Sequence, residues 1–97
     1  MKVLWTTRAS ADLVRLHAFL DPVAPEAAAR IVQQLVRAPD RLRDYPRIGE
    51  KLEIYEPREV RRIIVGHYEM RYEIADAAIF ILRLWHSRED RSFDAAD

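Results

Sequence analysis

The chain has 97 residues, enough for one domain but not two, and its 49% hydrophobic and 33% charged residues are typical of a globular protein. Lys plus Arg number 16, as do Asp plus Glu, so the formal net charge is zero and any basic surface for nucleic acid must be local. There is no Cys, which excludes disulfides, thiolate metal sites and cysteine nucleophiles.

The N-terminal stretch MKVLWTTRAS predicts a short strand rather than a targeting signal. Its apolar run is too short for a signal peptide or a membrane span, so we expect a cytoplasmic protein with no membrane contact. Lys2 to Trp5 (KVLW) favours a strand. Thr6 or Thr7 can then cap a helix by accepting a hydrogen bond from a backbone amide.

Apolar residues at helical spacing follow this cap and predict a first helix. Its apolar stripe consists of Leu13, Leu16, Phe19 and Leu20. Asp12 and Arg15 are placed on the opposite side, and Asp21-Pro22 ends the helix.

A second helix is predicted to begin at Pro25-Glu26, since proline and an acidic residue both suit the first turn. Its apolar face consists of Ala28, Ile31, Val32, Leu35 and Leu42. Pro39 lies inside this pattern and should interrupt the helix near Ala38. The two helices therefore form a hairpin, and Tyr45 to Gly49 follow as a loop.

After Pro57 the pattern changes to period two and predicts three strands. They are Val60 to Val65, Tyr68 to Ile74 and Ile79 to Trp85, separated by turns at Gly66-His67 and at Ala75 to Ala77. The element order is β-α-α-β-β-β. The sequence predicts an α+β fold in which the helical hairpin packs on an antiparallel sheet.

Charged residues alternate with apolar ones in the middle strand of this meander. Tyr68, Met70, Tyr72 and Ile74 are predicted to face one side, and Glu69, Arg71 and Glu73 the other. We interpret the charged side as a solvated open face, with a surface that contacts a carboxylate or phosphate as the alternative.

Arginines occur on all three consecutive strands, namely Arg61, Arg62, Arg71 and Arg83. Arg83 interrupts an otherwise apolar strand, and a buried guanidinium needs a partner. A partner inside the chain, such as Glu69 or Glu73, would make it structural, and a partner on another protein would make it functional. The sequence leaves both open.

The last strand ends in a cluster of polar residues: His86, Arg88, Glu89, Asp90 and Arg91. These residue types could supply acid–base catalysis and bind phosphate. Alternate strand residues face opposite sides, however, so a docking surface is favoured over catalysis.

No metal or cofactor site is predicted. The histidines His17, His67 and His86 lack ligand spacing, and the only glycines, Gly49 and Gly66, cannot build a phosphate-binding loop.

Four segments in this order resemble a known family. They are TRASADL (7–13), YPRIGE (45–50), RRIIVGHYEMRYEI (61–74) and ILRLWHSRED (81–90). The chain resembles the RelE/ParE superfamily of bacterial toxins, and within it the ParE, or plasmid-stabilisation, branch. The resemblance implies a single toxin domain over residues 1–91, and we expect residues 92–97 to form a short disordered tail.

The resemblance also implies a partner and a target. A ParD-like antitoxin would neutralise the toxin, and DNA would be contacted only through that antitoxin or through DNA gyrase. ParE relatives inhibit gyrase by binding it, whereas RelE relatives cleave messenger RNA on the ribosome. A toxin fold that has lost its activity is a third possibility.

Two positions distinguish the branches. RelE-type nucleases carry an arginine where this chain has Glu69, and a C-terminal tyrosine where the nearest aromatic residue is Phe93. Arg88 still lies where RelE-type nucleases carry a functional arginine, and Lys51 is a single candidate for the lysines of that branch. A gyrase-binding toxin is therefore favoured, and the nuclease alternative would use His86, Arg88 and Glu89.

The partner surfaces can be assigned to residues. An apolar groove between the helical hairpin and the sheet should bind the antitoxin through Leu13, Leu16, Leu20 and Leu35. The polar candidates for target or antitoxin binding are Arg61, Arg71, Arg83, His86 and Arg88.

Overall fold

A computed structural model describes residues 1–89 and contains two helices and five strands in one sheet. In chain order the helices and strands are β1 (Lys2–Trp5), α1 (Thr7–Leu20), α2 (Pro25–Arg37), β2 (Glu50–Lys51), β3 (Glu59–Val65), β4 (Tyr68–Ala75) and β5 (Ala78–His86). Two 3₁₀ helices, Ala38–Arg43 and Glu53–Tyr55, flank β2. The tail predicted at 92–97 lies outside the described residues.

The strands lie in the order β1-β5-β4-β3-β2. β3, β4 and β5 form the predicted antiparallel meander, and the α+β fold class is confirmed. β1 adds to the sheet parallel to β5, with Lys2 opposite Ala78 and Trp5 opposite Ile81. β2 was not predicted, because two residues are too few to show a period.

The helices begin and end where the sequence places their signals. The Thr6 hydroxyl accepts a hydrogen bond from the Ala9 amide (3.1 Å) and donates one to the Ile81 carbonyl (2.8 Å), which ties the start of α1 to β5. α2 begins at Pro25 and gives way to a 3₁₀ helix at Ala38, as Pro39 predicts. Neither helix of the described chain is long and apolar enough to cross a membrane.

The hydrophobic core lies between the helical hairpin and the sheet. Both helices contribute to it, through residues such as Leu16 and Leu35, and the strands contribute their inward side chains. Its members are Ala9, Leu16, Leu35, Leu42, Ile63, Tyr68, Met70, Tyr72, Ile74, Ile79, Ile81 and Leu84. The inward face predicted for β4 is therefore confirmed.

Asp12 was predicted on the outer side of α1, and this is wrong. The residue is 4% exposed, because its side chain packs against β5 and pairs with Arg83 there. β1 covers only Ala78 to Ile81 of β5. Beyond that point the Leu84 amide would lie unpaired at the strand edge, and the Asp12 carboxylate accepts its hydrogen bond at 2.9 Å. Beyond the end of β1, the Asp12 carboxylate thus replaces the neighbouring strand as the hydrogen-bond acceptor for β5.

The loop before β2 is fixed by the Tyr72 hydroxyl. This group accepts a hydrogen bond from the Gly49 amide (3.1 Å) and donates one to the Pro46 carbonyl (2.7 Å). A Cβ atom on Gly49 would lie 2.6 Å from both the Arg62 carbonyl oxygen and the Tyr72 hydroxyl, so only glycine fits here. The YPRIGE segment is therefore held against the sheet by its own backbone.

Candidate functional site

The polar cluster at the end of β5 forms a closed turn. One oxygen of Glu89 accepts a hydrogen bond from the His86 amide (3.1 Å), and the other contacts the Arg15 guanidinium of α1. The His86 Nδ1 atom accepts a hydrogen bond from the Arg88 amide (3.1 Å). Glu89 and His86 therefore hold the strand exit against α1, whereas the Arg88 side chain is exposed.

A cavity of about 350 Å³ lies beside this turn, between α1 and the ends of β4 and β5. We call it the α1 cavity. Its lining residues are Arg15, Leu16, Phe19, Leu20, Tyr68, His86 and Glu89. An opening of this size and mainly apolar character suits one or two apolar side chains of a partner.

Two of the four residues predicted for an apolar groove, Leu16 and Leu20, line the α1 cavity. Leu35 does not, and its assignment to a binding groove is wrong because it is fully buried in the core. Leu13 also packs against the core. Phe19, predicted in the inward stripe, is instead 80% exposed at the cavity.

The sheet side of the cavity is aromatic. The His86 ring packs edge-on against Tyr68, with 5.2 Å between ring centroids, and lies 6.2 Å from the His67 ring. Burial, followed by the nearby Glu89 carboxylate, raises the pKa of Tyr68. The Tyr68 hydroxyl therefore releases its proton less readily than that of an exposed tyrosine.

The arginines on the other face of the sheet stack with aromatic rings. Arg71 lies 4.6 Å from the Trp85 ring centroid, and Arg83 lies 5.0 Å from it. Tyr55 has Arg71 and Arg58 each 5.7 Å from its own centroid. We call these five residues, Arg58, Tyr55, Arg71, Trp85 and Arg83, the cation–π ladder.

Carboxylates neutralise the ladder along its length. Arg83 pairs with Asp12 at 2.8 Å, reaching round the edge of β5 to α1. Arg71 pairs with Glu69 at 2.8 Å and also donates to the Tyr55 hydroxyl at 2.7 Å. Burial alone would lower the pKa of Arg71, but Glu69 and Tyr55 outweigh it and the pKa is raised.

These contacts correct the expectation of a solvated charged face on β4. Glu69 is 3% exposed and is shared by Arg71 and Arg62, so it is a buried carboxylate rather than a surface one. The question left open for Arg83 is also answered. Arg83 has an internal partner, the Asp12 carboxylate, which was not predicted from the sequence.

Arg61 is likewise held inside the chain, by the Glu59 carboxylate (2.9 Å) and the Gly49 carbonyl (2.8 Å). Of the polar binding candidates, Arg61, Arg71 and Arg83 thus stabilise the fold through intramolecular pairs. Only His86 and Arg88 lie together at the α1 cavity end of the sheet. Within residues 1–89 no group of three His, Asp or Glu side chains is placed to hold a metal ion.

The pairing of Asp12 with Arg83 and the stacking of Tyr55 with Arg71 were not predicted from the sequence. An acidic residue close to an apolar helix stripe, together with an arginine in an apolar strand, was a usable signal for the pair between Asp12 and Arg83. No sequence signal predicted the stacking of Tyr55, because this residue lies in a short 3₁₀ helix without periodicity.

Comparison with known proteins decides the family. A family model described as the ParE toxin of the type II toxin–antitoxin system parDE matches residues 3–91. The chain belongs to the ParE toxin family. It is a type II toxin of the ParE/RelE superfamily, as the resemblance of its four segments indicates.

Relatives agree with this assignment. The chain is 36% identical to Toxin RelE2 of Caulobacter vibrioides over 86 residues, which cover 89% of this chain and 94% of that protein. It is also 36% identical over 59 residues to Putative toxin Y4kP of Sinorhizobium fredii, covering 61% and 62% of the two chains.

A solved structure from the chromosomal ParDE TA system of P. aeruginosa superposes with a TM-score of 0.75 at 25% identity. The superposition covers 89% of this chain and 95% of that one. A ParE-type toxin of this kind has an antitoxin partner.

Proposed function

We propose that this toxin acts by binding DNA gyrase and is neutralised by a ParD-like antitoxin. The proposal rests on the observation that the side chains a nuclease would need for proton transfer are already engaged within the chain. Glu89 is engaged by Arg15 and the His86 amide, and the His86 Nδ1 atom is engaged by the Arg88 amide. Groups that close a turn are poorly placed to exchange protons with a substrate.

The character of the neighbouring opening supports the same proposal. Leu16, Phe19 and Leu20 present hydrocarbon to the α1 cavity, which favours a protein side chain over a phosphate backbone. An amphipathic antitoxin segment would bury the exposed Phe19 ring and fill the space above Leu16.

The positions of His86 and Arg88, the two remaining polar candidates, explain how the antitoxin would neutralise the toxin. His86 lines the α1 cavity, and Arg88 is exposed in the turn directly after it. An antitoxin seated in the cavity would cover this turn. Gyrase and antitoxin would then compete for overlapping surfaces.

A supercoiling assay with purified gyrase tests the target. Wild-type toxin should block supercoiling and accumulate cleaved DNA–gyrase complexes, and Arg88→Glu should weaken both effects. Arg30→Glu, which reverses an exposed charge on α2 away from the turn, is the matched control. Unaltered supercoiling with wild-type toxin in excess would refute gyrase as the target.

Antitoxin binding is tested separately by co-purification. Phe19→Glu places a charge at the α1 cavity without disturbing the core, because Phe19 is 80% exposed, and it should weaken capture of the antitoxin. Val14→Glu changes a 70% exposed residue of the same helix outside the cavity and should leave capture intact. Equal loss in both variants would exclude the cavity as the antitoxin site.

The second candidate function is ribosome-dependent cleavage of messenger RNA. The observation that favours it is that a relative 36% identical to this chain bears the name RelE2. His86, Arg88 and Glu89 would carry that chemistry. Primer extension on translated messages should then show discrete cuts that disappear in the Arg88→Ala variant, whereas the gyrase-binding proposal expects no cuts.

Expression of the toxin without its antitoxin tests the remaining alternative, a toxin fold that has lost its activity. Overproduction that does not harm the cells would indicate such an inactive toxin.

A further inference from the structure

β3 extends beyond the strand that pairs with its outer side. β2 pairs only with Arg61 and Arg62, and the Leu52 amide donates to the Val60 carbonyl at 2.8 Å. Backbone groups alternate between the two sides of an antiparallel strand, so the amide and carbonyl of Ile64 point to the same side as those of Val60 and Arg62. Within residues 1–89 no strand pairs with that side of Ile64. The sheet therefore has an open edge at its end.

A groove of about 630 Å³ runs along this open edge. One wall is the end of β3, where the Ile64 side chain is 59% exposed. The other wall is the end of α2 with the following 3₁₀ helix, including Arg37 and Arg41. We call this space the β3 groove. A strand edge beside a helix is the arrangement in which domains accept a peptide as an additional strand.

The charge of the helical wall selects among possible occupants. Arg37 and Arg41 are exposed and both line the groove, Arg37 at the end of α2 and Arg41 in the 3₁₀ helix, and in the described part of the chain neither forms an ion pair with a carboxylate. The acidic residue between them, Asp40, is engaged by Arg43. Two like charges that line one groove repel each other, so an anionic ligand would relieve an unfavourable interaction.

We propose that the β3 groove binds an extended acidic segment of a partner protein, which adds as a strand beside Ile64 and places carboxylates against Arg37 and Arg41. Main-chain hydrogen bonds to Ile64 supply the pairing, and the two guanidinium groups supply selection for acidic side chains. A second copy of this chain fits poorly, since symmetric pairing through β3 would turn two arginine-bearing walls toward each other.

This site is distinct from the α1 cavity. None of the residues lining the β3 groove lines the α1 cavity, and the inference does not depend on gyrase being the target. A partner held at the β3 edge would leave the turn after β5 uncovered. The toxin could then hold two protein segments at the same time.

A synthetic peptide tests the proposal directly. The probe is a fluorescein-labelled peptide of sequence Glu-Val-Asp-Val-Glu-Val, and its binding to the full chain is followed by fluorescence anisotropy. We expect saturable binding that weakens with added salt and a shift of the Ile64 amide signal in NMR spectra. A Lys-Val-Lys-Val-Lys-Val peptide should not bind. An N-methylated acidic peptide, which keeps its charge but loses its amide donors, should bind weakly.

Protein variants separate the charge from the main-chain contribution. Arg37→Glu with Arg41→Glu should weaken the acidic peptide at least ~10-fold, which corresponds to about 1.4 kcal/mol. Ile64→Pro removes only an amide that faces the open edge, and it should weaken binding while the chain stays folded. Arg30→Glu, on the same helix but outside the groove, should bind as the wild type does.

Three results would overturn the inference. They are the absence of saturable binding, equal binding of the lysine and acidic peptides, and binding that is insensitive to N-methylation. Concentration-dependent dimerisation that is abolished by Ile64→Pro would also overturn it, because it would assign the open edge to a second copy of the chain.

Discussion

The two faces of the sheet are closed in different ways. On one face, α1 and α2 cover an apolar core in which Leu35, Leu42 and Ile79 are fully buried. On the other, the cation–π ladder covers Trp85 with planar guanidinium groups, and carboxylates neutralise those groups. Arginine and aromatic side chains can therefore close a sheet face in place of a second layer of helices.

The difference determines how each face responds to substitution. An apolar core loses transfer free energy and gains a cavity when a side chain is shortened. A buried ion pair loses its compensation when one partner is removed, which leaves the other charge desolvated. The four predictions below use this contrast, beginning with the largest expected effect.

Removing the carboxylate at the end of the ladder should have the greatest effect. Asp12→Ala removes the carboxylate that pairs with the Arg83 guanidinium, which is 4% exposed, and it removes the acceptor of the Leu84 amide. We expect the free energy of unfolding in urea to fall by about 3–5 kcal/mol. Asp21→Ala, an exposed acid at the end of α1, should change it by less than about 0.5 kcal/mol. Similar values for both variants would show that the pair does not close this face.

Shortening a core side chain should come second. Leu35→Ala removes a fully buried side chain from α2 and should lower the free energy of unfolding by about 3 kcal/mol. The neighbouring Val36 is 48% exposed, so Val36→Ala provides a control with little cavity formation. Urea denaturation with matched m-values measures both. If Leu35→Ala retained wild-type stability, the result would contradict burial of Leu35 in the core. It would instead favour the predicted position of Leu35 in the groove that binds the antitoxin.

Interrupting the middle of the ladder should have a smaller effect. Tyr55→Ala removes the ring between Arg58 and Arg71 together with the hydroxyl that accepts a hydrogen bond from Arg71. The expected loss of unfolding free energy is about 1–2 kcal/mol. Tyr45→Ala is the matched control, because Tyr45 is 66% exposed and outside the ladder. Equal thermal midpoints for the two variants would argue against a stabilising role for the stack.

The smallest effect is a pH dependence at the edge of the sheet. A hydrogen bond from Arg47, reinforced by Arg61, lowers the pKa of Glu59 below its ordinary value of 4.5. The stabilisation is therefore complete above pH 4.5 and is lost as the pH falls through the lowered pKa. Glu59→Gln should flatten the acid limb of a plot of unfolding free energy against pH, and Glu53→Gln should not. An unchanged acid limb in the Glu59 variant would contradict this linkage.

The parts of the fold that the sequence predicted are those specified locally. The threonine cap, the proline start of α2, the interruption at Pro39 and the period-two strands each depend on neighbouring residues. β2 was missed because two residues carry no pattern, and the parallel pairing of β1 with β5 joins segments far apart in sequence.

The candidate site was harder to predict, because the sequence shows that a residue is charged but not which residue it pairs with. Arg71 and Arg88 look alike in sequence, yet one is paired with Glu69 and the other is exposed. The partner of Arg83 depends on where β1 ends beside β5, which only the assembled sheet shows. The open edge at Ile64 likewise follows from the shortness of β2 and has no sequence signal of its own.

The parallel pairing of β1 with β5 also affects how the toxin is made. β1 is synthesised before the other strands, but Ala78 to Ile81, with which it pairs, belong to β5 and follow them all. Until they emerge, Thr6 lacks its Ile81 acceptor and Asp12 lacks the Leu84 amide. Such long-range contacts form late and together. A nascent toxin without β5 therefore cannot complete its sheet, and the fold is assembled only after its last described strand has been synthesised.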